Sequence, residues 1–162
     1  MPELPEVETT RAGIEPHVMG QQVRTVIVRQ PQLRWPVTDT LAAELPGQTI
    51  HSVARRAKYL LFAADSGHVC LHLGMSGRLR VVPAGTPVVA HDHVDIELAN
   101  DWVVRYNDAR RFGSISAFDE RCEIRVDGGL RRMPLERTED VARLYGIAKK
   151  ISDEMGLSLG EA

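Results

Sequence analysis

The chain has 162 residues, of which 43% are apolar and 26% charged, and its formal net charge is −2. This length suits one domain with at most a short appendage, and the apolar content is sufficient for a core. No apolar run is long enough to cross a membrane and no signal segment is present, so we expect a cytoplasmic protein without membrane association. The net charge is not typical of a nucleic-acid binder, although arginines cluster at 55–56 and 110–111.

Residues 3–18 are predicted to form an α-helix. Acidic residues occupy its first turns, and Gly20 is suited to end it. The apolar residues recur at helical spacing: Leu4, Val7, Ile14 and Val18. The next segment, QVRTVIVRQ, alternates as a strand does, and TLAAELPG is typical of a short helical turn.

The segment from residue 49 to residue 118 is β-rich and apolar, with turn sequences between its apolar runs. Asn100-Asp101 predicts a two-residue hairpin. We therefore expect a mainly β fold over residues 1–118, an antiparallel β-sandwich of about eight strands with an N-terminal α-helix. Both tryptophans, Trp35 and Trp102, are predicted to lie in the core.

Residues 119–162 differ in character and are predicted to be a separate strand and helix segment. Thr138 is suited to cap a C-terminal amphipathic helix, and Gly156 to end it. Its apolar face comprises Val141, Leu144, Ile147, Ala148, Ile151 and Met155. One apolar stripe cannot be buried by its own helix, so it packs on the β domain, mediates self-association with another copy, or stays loose.

The cysteines and the H-x-H motif predict neither a disulfide nor a metal site. Cys70 and Cys122 form no CxxC pair, so we interpret them as inert free thiols. The spacing of His91 and His93 matches metal ligands, but a single H-x-H without further ligands is more often structural. We therefore predict no metal site.

The N-terminus presents a proline directly after Met1. Removal of Met1 would leave Pro2 as a secondary amine, and an α-amino group titrates near about pH 7.7–8.0. Such an amine can attack a carbonyl carbon and form an iminium, with Glu3 transferring protons and Glu6 assisting. The alternative is that the prolines simply begin the helix. The spacing leaves both interpretations open.

The chain start, MPELPEVETTRAGIEPHVMG, closely resembles that of formamidopyrimidine-DNA glycosylases, base-excision-repair enzymes related to endonuclease VIII. The resemblance covers about residues 1–117 in order. It continues through LRWPV at 33–37, RRAKYLL at 55–61, HLGMSGRLR at 72–80, HDHVDIEL at 91–98 and RYNDARRFG at 105–113. It implies removal of oxidised purines, such as formamidopyrimidine and 8-oxoguanine, from damaged double-stranded DNA through a proline Schiff base and β,δ-elimination.

The resemblance also implies roles for the N-terminal residues and two basic ones. Pro2 would be the nucleophile at C1′, Glu3 the acid and base, and Glu6 a supporting carboxylate. Lys58 would be a β-strand lysine that contacts a phosphate, and His72 a second backbone contact. From the residues alone, Lys58 is equally typical of a solvated strand position.

Three further residues are similar to those that fill the gap left by a flipped nucleotide: Met75, Arg110 and Phe112. An apolar wedge and an arginine facing the orphan base would offset part of the cost of flipping. Without the family, Met75 would be a packing residue at a strand end, Arg110 a surface charge and Phe112 a core ring.

The sequence departs from the family in its last third. We recognise neither the helix–two-turn–helix module nor the four-cysteine zinc finger, so we expect no cofactor and impaired excision. Residues 120–162 instead resemble a fragment of glutamate-carboxypeptidase-like metallopeptidases, without their metal ligands. The alternative function is a catalytically silent, glycosylase-derived domain for DNA binding or self-association.

Overall fold

The computed structural model describes residues 4–118 of the chain. This part contains two helices, α1 (Leu4–Val18) and α2 (Asp39–Glu44). It also contains nine strands: β1 (Gln21–Val28), β2 (Thr49–Ile50), β3 (Ser52–Arg56), β4 (Tyr59–Ala63), β5 (His68–His72), β6 (Gly77–Pro83), β7 (Asp92–Leu98), β8 (Trp102–Asp108) and β9 (Ser114–Ala117). None of the helices between residues 4 and 118 is both long and apolar enough to span a membrane.

The strands form two antiparallel sheets that enclose one apolar core. The five-stranded sheet has the order β2-β1-β7-β8-β6, and the four-stranded sheet has the order β3-β4-β5-β9. Alternation along each strand turns every second side chain toward the other sheet. The core therefore draws on both sheets, with fully buried residues such as Leu60, Phe62, Leu98 and Tyr106. Burial of each such side chain contributes roughly 1.5–3 kcal/mol.

Helix α1 is fixed to the rest of the fold by apolar contacts and to the four-stranded sheet by a hydrogen bond. Val7, Ile14 and Val18 are buried on one side of the helix. Arg11 pairs with Glu8 at 2.7 Å and donates to the carbonyl of Val53 on β3 at 3.2 Å. These contacts fix the direction in which the first turns of α1 point.

The predicted fold class is confirmed within the described residues. The helix predicted over residues 3–18 is α1, and the predicted short helical turn is α2. There is one strand more than expected, because the segment from residue 49 is divided between β2 and β3. The predicted C-terminal helix and the appended segment 119–162 lie outside the described residues, so both remain predictions.

Two local predictions were wrong. The β7–β8 hairpin has three connecting residues rather than two, because Asp101 adopts a left-handed conformation (φ 68°) and closes the turn with a hydrogen bond to the carbonyl of Leu98. Cys70 is disulfide-bonded and 2% exposed rather than a free thiol. Spacing along a chain does not reveal which sulfurs meet in the fold.

Candidate nucleic-acid interface

Two cavities share the side chain of Met75 as a common wall. The first, of about 580 Å³, is lined by residues that include Arg34, Trp35, Tyr59, His72, Met75 and Phe112. The second, of about 570 Å³, is lined by residues that include Glu6, Thr10, Met75, Arg78 and Arg80. The structure therefore brings four predicted site residues together around two adjoining cavities: Glu6, His72, Met75 and Phe112.

The first cavity is built on three neighbouring strands. Tyr59 on β4 lies opposite His72 on β5, which in turn lies opposite Ser114 on β9. Their neighbours in the next register row, Leu60, Leu71 and Ile115, belong to the core. Because side chains alternate along a strand, the register places all three cavity residues on the opposite face of the sheet.

His72 is oriented by its immediate surroundings. Its ring lies 4.8 Å from that of Tyr59, edge to face, and its Nδ1 accepts the backbone N–H of Gly74 at 3.0 Å. Since Nδ1 is an acceptor, the neutral ring carries its proton on Nε2. In this tautomer Nε2 is the hydrogen-bond donor of the imidazole.

Two loops present the exposed apolar side chains of the site. The methionine loop (residues 73–76) carries Met75, which is 45% exposed. The arginine–phenylalanine loop (residues 109–113) carries Phe112, which is 39% exposed, with the guanidinium of Arg110 4.9 Å from its ring centroid. Exposed large apolar side chains that lie together on a surface are typical of an interaction site.

Glycines allow these two loops to touch through their backbones. Gly74 has a left-handed backbone (φ 66°), and a Cβ atom there would lie 2.5 Å from Gly113 N and from the carbonyl carbon of Phe112. A Cβ atom on Gly113 would collide with the hydroxyl of Tyr106 and the carbonyl of His72. The glycines in HLGMSG and RRFG are therefore needed for the close approach of the loops.

A buried polar pair lies beneath the loops. Asp108 is completely buried, and the hydroxyl of Tyr106 donates to its carboxylate at 2.5 Å. Burial, and secondarily this hydrogen bond and the charge of Asp108, raise the pKa of Tyr106 far above its usual value, so its hydroxyl stays protonated. His93 lies beside the pair, and its Nε2 donates to the backbone carbonyl of Asp108 at 2.7 Å. His93, the second histidine of the H-x-H motif, therefore has a structural role.

The rim of the two cavities is locally basic although the chain as a whole is slightly acidic. Three exposed arginines line the cavities: Arg34, Arg78 and Arg80. Two more, Arg110 and Arg111, are exposed on the arginine–phenylalanine loop that carries the cavity residue Phe112. Arg78 and Arg80 both point outward from β6, where they alternate with buried or half-buried residues. Such a concentration of one charge attracts an anionic partner whatever the net charge of the chain.

Sequence analysis missed the part played by Arg34 and Trp35. Trp35 was predicted to lie in the core, but it is 38% exposed and lines the first cavity, with the Arg34 guanidinium 5.4 Å from its ring centroid. Pro31 and Pro36 bound this segment and keep it out of the sheets, because proline cannot donate to a strand ladder. Trp102 packs against the core as predicted.

The predicted placement of Lys58 within a strand was wrong. Ala57 and Lys58 form the two-residue turn between β3 and β4, since Arg56 pairs with Tyr59. Ala57 takes the left-handed conformation that this turn requires (φ 54°), which its residue type does not indicate. Lys58 is half-buried and directly precedes the cavity residue Tyr59.

Two predicted site residues, Pro2 and Glu3, lie outside the described residues. Glu6 lies in the first turns of α1 and lines the second cavity. Within residues 4–118, no group of three His, Cys, Asp or Glu side chains is arranged to hold a metal ion.

Comparison with known sequences relates the chain to one family. The sequence profile of the formamidopyrimidine-DNA glycosylase N-terminal domain matches residues 1–115. A formamidopyrimidine-DNA glycosylase of Stutzerimonas stutzeri is 50% identical over 149 residues, which are 92% of this chain and 55% of that protein. The enzyme of Stenotrophomonas maltophilia is 59% identical over 115 residues, 71% of this chain and 43% of the relative. The chain thus spans about half the length of these relatives.

Solved structures give the same relationship. A complex between Lactococcus lactis Fpg and DNA containing an abasic site has a TM-score of 0.70 and 31% identity, covering 82% of this chain and 49% of that one. A complex of the wild-type L. lactis protein with N7-benzyl-Fapy-dG DNA has a TM-score of 0.71 and 32% identity, with the same coverage. The profile match and the shared fold establish that the chain belongs to the formamidopyrimidine-DNA glycosylase N-terminal domain family.

Proposed function

We propose that the chain provides the catalytic half of a DNA glycosylase/AP lyase that removes oxidised purines, such as formamidopyrimidine and 8-oxoguanine, from double-stranded DNA. The observation that carries this proposal is the joint presentation of Met75 and Phe112, both exposed, with Arg110 against the phenyl ring. The names of the relatives support it, as do neighbouring structures that contain abasic or Fapy-dG DNA. Because the genome of bacterial relatives lies in the cytoplasm, we place the protein there.

The proposed chemistry begins after Met1 is removed. The Pro2 nitrogen would attack C1′ of the damaged nucleotide, the glycosidic bond would break, and the base would leave with a proton supplied by an acid, for which Glu3 is the candidate. The C1′–O4′ bond would then break as the proton lost from the proline nitrogen is transferred to O4′, for which Glu3 is again the candidate, and an iminium would remain at C1′. Loss of a C2′ proton would then expel the 3′ phosphate, and a second elimination the 5′ phosphate. These steps need no cofactor from this chain.

The described residues would bind the DNA in the flipped state. Extruding a nucleotide costs on the order of a few kcal/mol, and apolar side chains that enter the gap recover part of it. Met75 and Phe112 are exposed and line the same cavity, while Arg110 offers guanidinium donors to the orphan base. His72 would donate from Nε2 to a phosphate oxygen, and Lys58 would contribute a second positive charge nearby.

Borohydride trapping tests the proposal directly. The purified chain would be incubated at low salt with a duplex containing one abasic site, reduced, and resolved by denaturing gel electrophoresis. We expect a covalent protein–DNA band, and a much weaker band for Pro2→Gly. Intact-mass spectrometry of the same sample would establish whether Met1 is removed, since a retained Met1 makes the Pro2 nitrogen an amide. Excision from 8-oxoguanine and formamidopyrimidine duplexes would then define the lesion.

Failure of trapping would favour the alternative function, a catalytically silent domain for DNA binding or self-association. No band at high protein concentration, from a sample that lacks Met1, would contradict the Schiff-base mechanism. Lesion-specific DNA binding without trapping would then indicate a silent DNA-binding domain. A dimer in gel filtration without DNA binding would indicate self-association, for which the predicted C-terminal helix is the candidate.

A further inference from the structure

We propose that Asp108 and Ser76 are positioning residues that bridge the methionine loop and the arginine–phenylalanine loop, so that Met75, Arg110 and Phe112 reach the DNA as one preformed unit. The inference rests on the proposed function, because it assigns a purpose to the exposed side chains of both loops. We call the hydrogen bonds of Asp108 and Ser76 the inter-loop bridge. No role for these two residues follows from the motifs that identify the family.

The Asp108 carboxylate accepts four hydrogen bonds, and three of the donors belong to the two loops. Its Oδ1 accepts the hydroxyl of Ser76 at 2.6 Å and the backbone N–H of Arg111 at 3.0 Å. Its Oδ2 accepts the backbone N–H of Gly113 at 2.9 Å and the hydroxyl of Tyr106 at 2.5 Å. One carboxylate thus joins both loops to the end of β8.

Ser76 adds a second connection between the loops. Its hydroxyl donates to Asp108 and accepts the backbone N–H of Arg110 at 3.1 Å. The residue that follows Met75 is therefore bonded directly to the backbone of the arginine that lies over Phe112. A shift of either loop would break a hydrogen bond on the other.

The cost of this arrangement suggests a purpose beyond stability. A carboxyl group without any exposure, like that of Asp108, is expensive to bury and is tolerated only when hydrogen bonds compensate it. Yet the bridge orders loops whose largest side chains, Met75 and Phe112, remain 45% and 39% exposed. Ordering exposed apolar groups contributes little to folding, but it lowers the entropy that would otherwise be lost on binding.

The bridge should therefore affect binding to a duplex from which a base is missing or flipped out more than it affects binding to intact DNA. Filling the gap requires three side chains to enter in a fixed relation, whereas attraction to intact duplex depends on basic side chains around the cavities. Loss of the bridge should lower the ratio of the affinity for a duplex with an abasic site to the affinity for intact duplex. Affinity for intact duplex should change little.

The chain offers a matched set of variants. Ser76→Ala removes the hydroxyl that links the loops and leaves the carboxylate in place. Asp108→Asn places an amide NH₂ against a backbone N–H in either orientation, because each carboxylate oxygen accepts one. Tyr106→Phe is the control, since it removes the donor that belongs to β8 and to neither loop.

Two measurements on the full chain test the bridge. Amide hydrogen exchange without DNA should accelerate at Arg111 and Gly113 in Ser76→Ala and Asp108→Asn. Binding to a duplex with a tetrahydrofuran abasic analogue, relative to intact duplex at equal salt, should fall about tenfold in Ser76→Ala, because both hydrogen bonds of the Ser76 hydroxyl are lost. In Tyr106→Phe the ratio of affinities for abasic and intact duplex should stay within about twofold of wild type. This should hold even if the melting temperature of Tyr106→Phe falls as much as that of Ser76→Ala.

Each outcome decides the inference. It is overturned if exchange at Arg111 and Gly113 is unchanged in Ser76→Ala, or if Tyr106→Phe lowers the affinity ratio as much as Ser76→Ala does. If Asp108→Asn fails to fold, Ser76→Ala still decides. A wild-type chain that does not distinguish the two duplexes would contradict the proposed function, while the exchange data would still decide whether the bridge orders the loops.

Discussion

The backbone N–H of Arg34 donates to the carbonyl of Gly113 at 3.0 Å, which joins the segment that carries Trp35 to the loop that carries Phe112. A second contact, at 3.4 Å, runs from the Arg111 guanidinium to the carbonyl of Gln32. The segment that carries Trp35 is thus held at the first cavity by hydrogen bonds to the arginine–phenylalanine loop.

Trp35 should therefore report on DNA binding. The chain has two tryptophans, so Trp102→Phe leaves Trp35 as the sole indole. We expect its emission to change on titration with abasic duplex, because DNA at the cavity would cover an indole that is now 38% exposed. The measurement is fluorescence at constant protein concentration. Trp35→Phe, which retains Trp102, is the control, and an equal change in that variant would contradict the proposed docking face.

A second prediction concerns Gly74. Gly74→Ala would place a methyl group 2.5 Å from backbone atoms of the arginine–phenylalanine loop, at a left-handed φ of 66°. Strain and overpacking together should cost about 2–4 kcal/mol of unfolding free energy. Urea unfolding followed by circular dichroism measures it.

Gly13→Ala is the matched control for that substitution. Gly13 lies inside α1 on its exposed side, and an added Cβ meets no described atom within 4 Å. Alanine there should stabilise the chain by about 0.5–1 kcal/mol through helix propensity. Equal urea midpoints for Gly74→Ala and wild type would show that the two loops separate at little cost.

The elements with a clear side-chain period could be predicted from the sequence. Strand β1 shows why. Its apolar residues alternate with polar ones in the sequence, and the buried ones are Val23 and Val26. These two lie three residues apart because the strand has one bulge between Val23 and Thr25. Helix α1 was equally evident from Val7, Ile14 and Val18. In both cases burial acts on residues close in sequence, so a short window contains the signal.

The details of the site could not be predicted in this way. Lys58 resembles a β-strand lysine and its position is equally typical of a solvated strand, yet Ala57 and Lys58 make the turn between β3 and β4. Asp108 gave no signal of its own, because its partner Ser76 lies 32 residues away and the other donors are backbone groups. Family resemblance indicated which side chains reach DNA, but not which buried residues hold them.

A third prediction concerns stability at acid pH. Asp95 is 1% exposed and accepts two hydrogen bonds from Arg105, at 2.9 and 3.0 Å, and one from Arg29 at 2.7 Å. Burial alone would raise the pKa of Asp95, but the hydrogen bonds and charges of the two arginines outweigh it and hold that pKa below its usual value. This contribution to stability is therefore present above the unfolded pKa and is lost as pH falls through the folded pKa.

Unfolding free energy measured from pH 7 downward should decrease below about pH 4 in wild type. Asp95→Asn should be less stable by about 3 kcal/mol at neutral pH, because the buried Arg105 loses its nearest charge partner and keeps only the more distant Asp92, at 3.9 Å. The acid slope of the variant should be shallower. Asp101→Asn is the control, since Asp101 pairs with Arg24 at the surface and its side chain is 76% exposed. That change should cost less than about 0.5 kcal/mol.

The last prediction tests the basic rim. Arg78 is exposed on β6 and lines the second cavity with Glu6, so it is placed to contact a phosphate. Arg78→Gln should weaken binding to abasic and intact duplex alike and reduce the slope of log affinity against log salt by about 1. Its effect thus differs from that of Ser76→Ala, which should act on the affinity ratio.

Arg24→Gln provides the comparison for Arg78→Gln. Arg24 is also an exposed strand arginine, but it pairs with Asp101 and lines neither cavity. Anisotropy titrations of a labelled duplex at several salt concentrations measure both slopes. If Arg24→Gln lowers the slope as much as Arg78→Gln, the attraction comes from the overall distribution of charge rather than from the cavity rim, and the proposed contact between the DNA and this rim would be wrong.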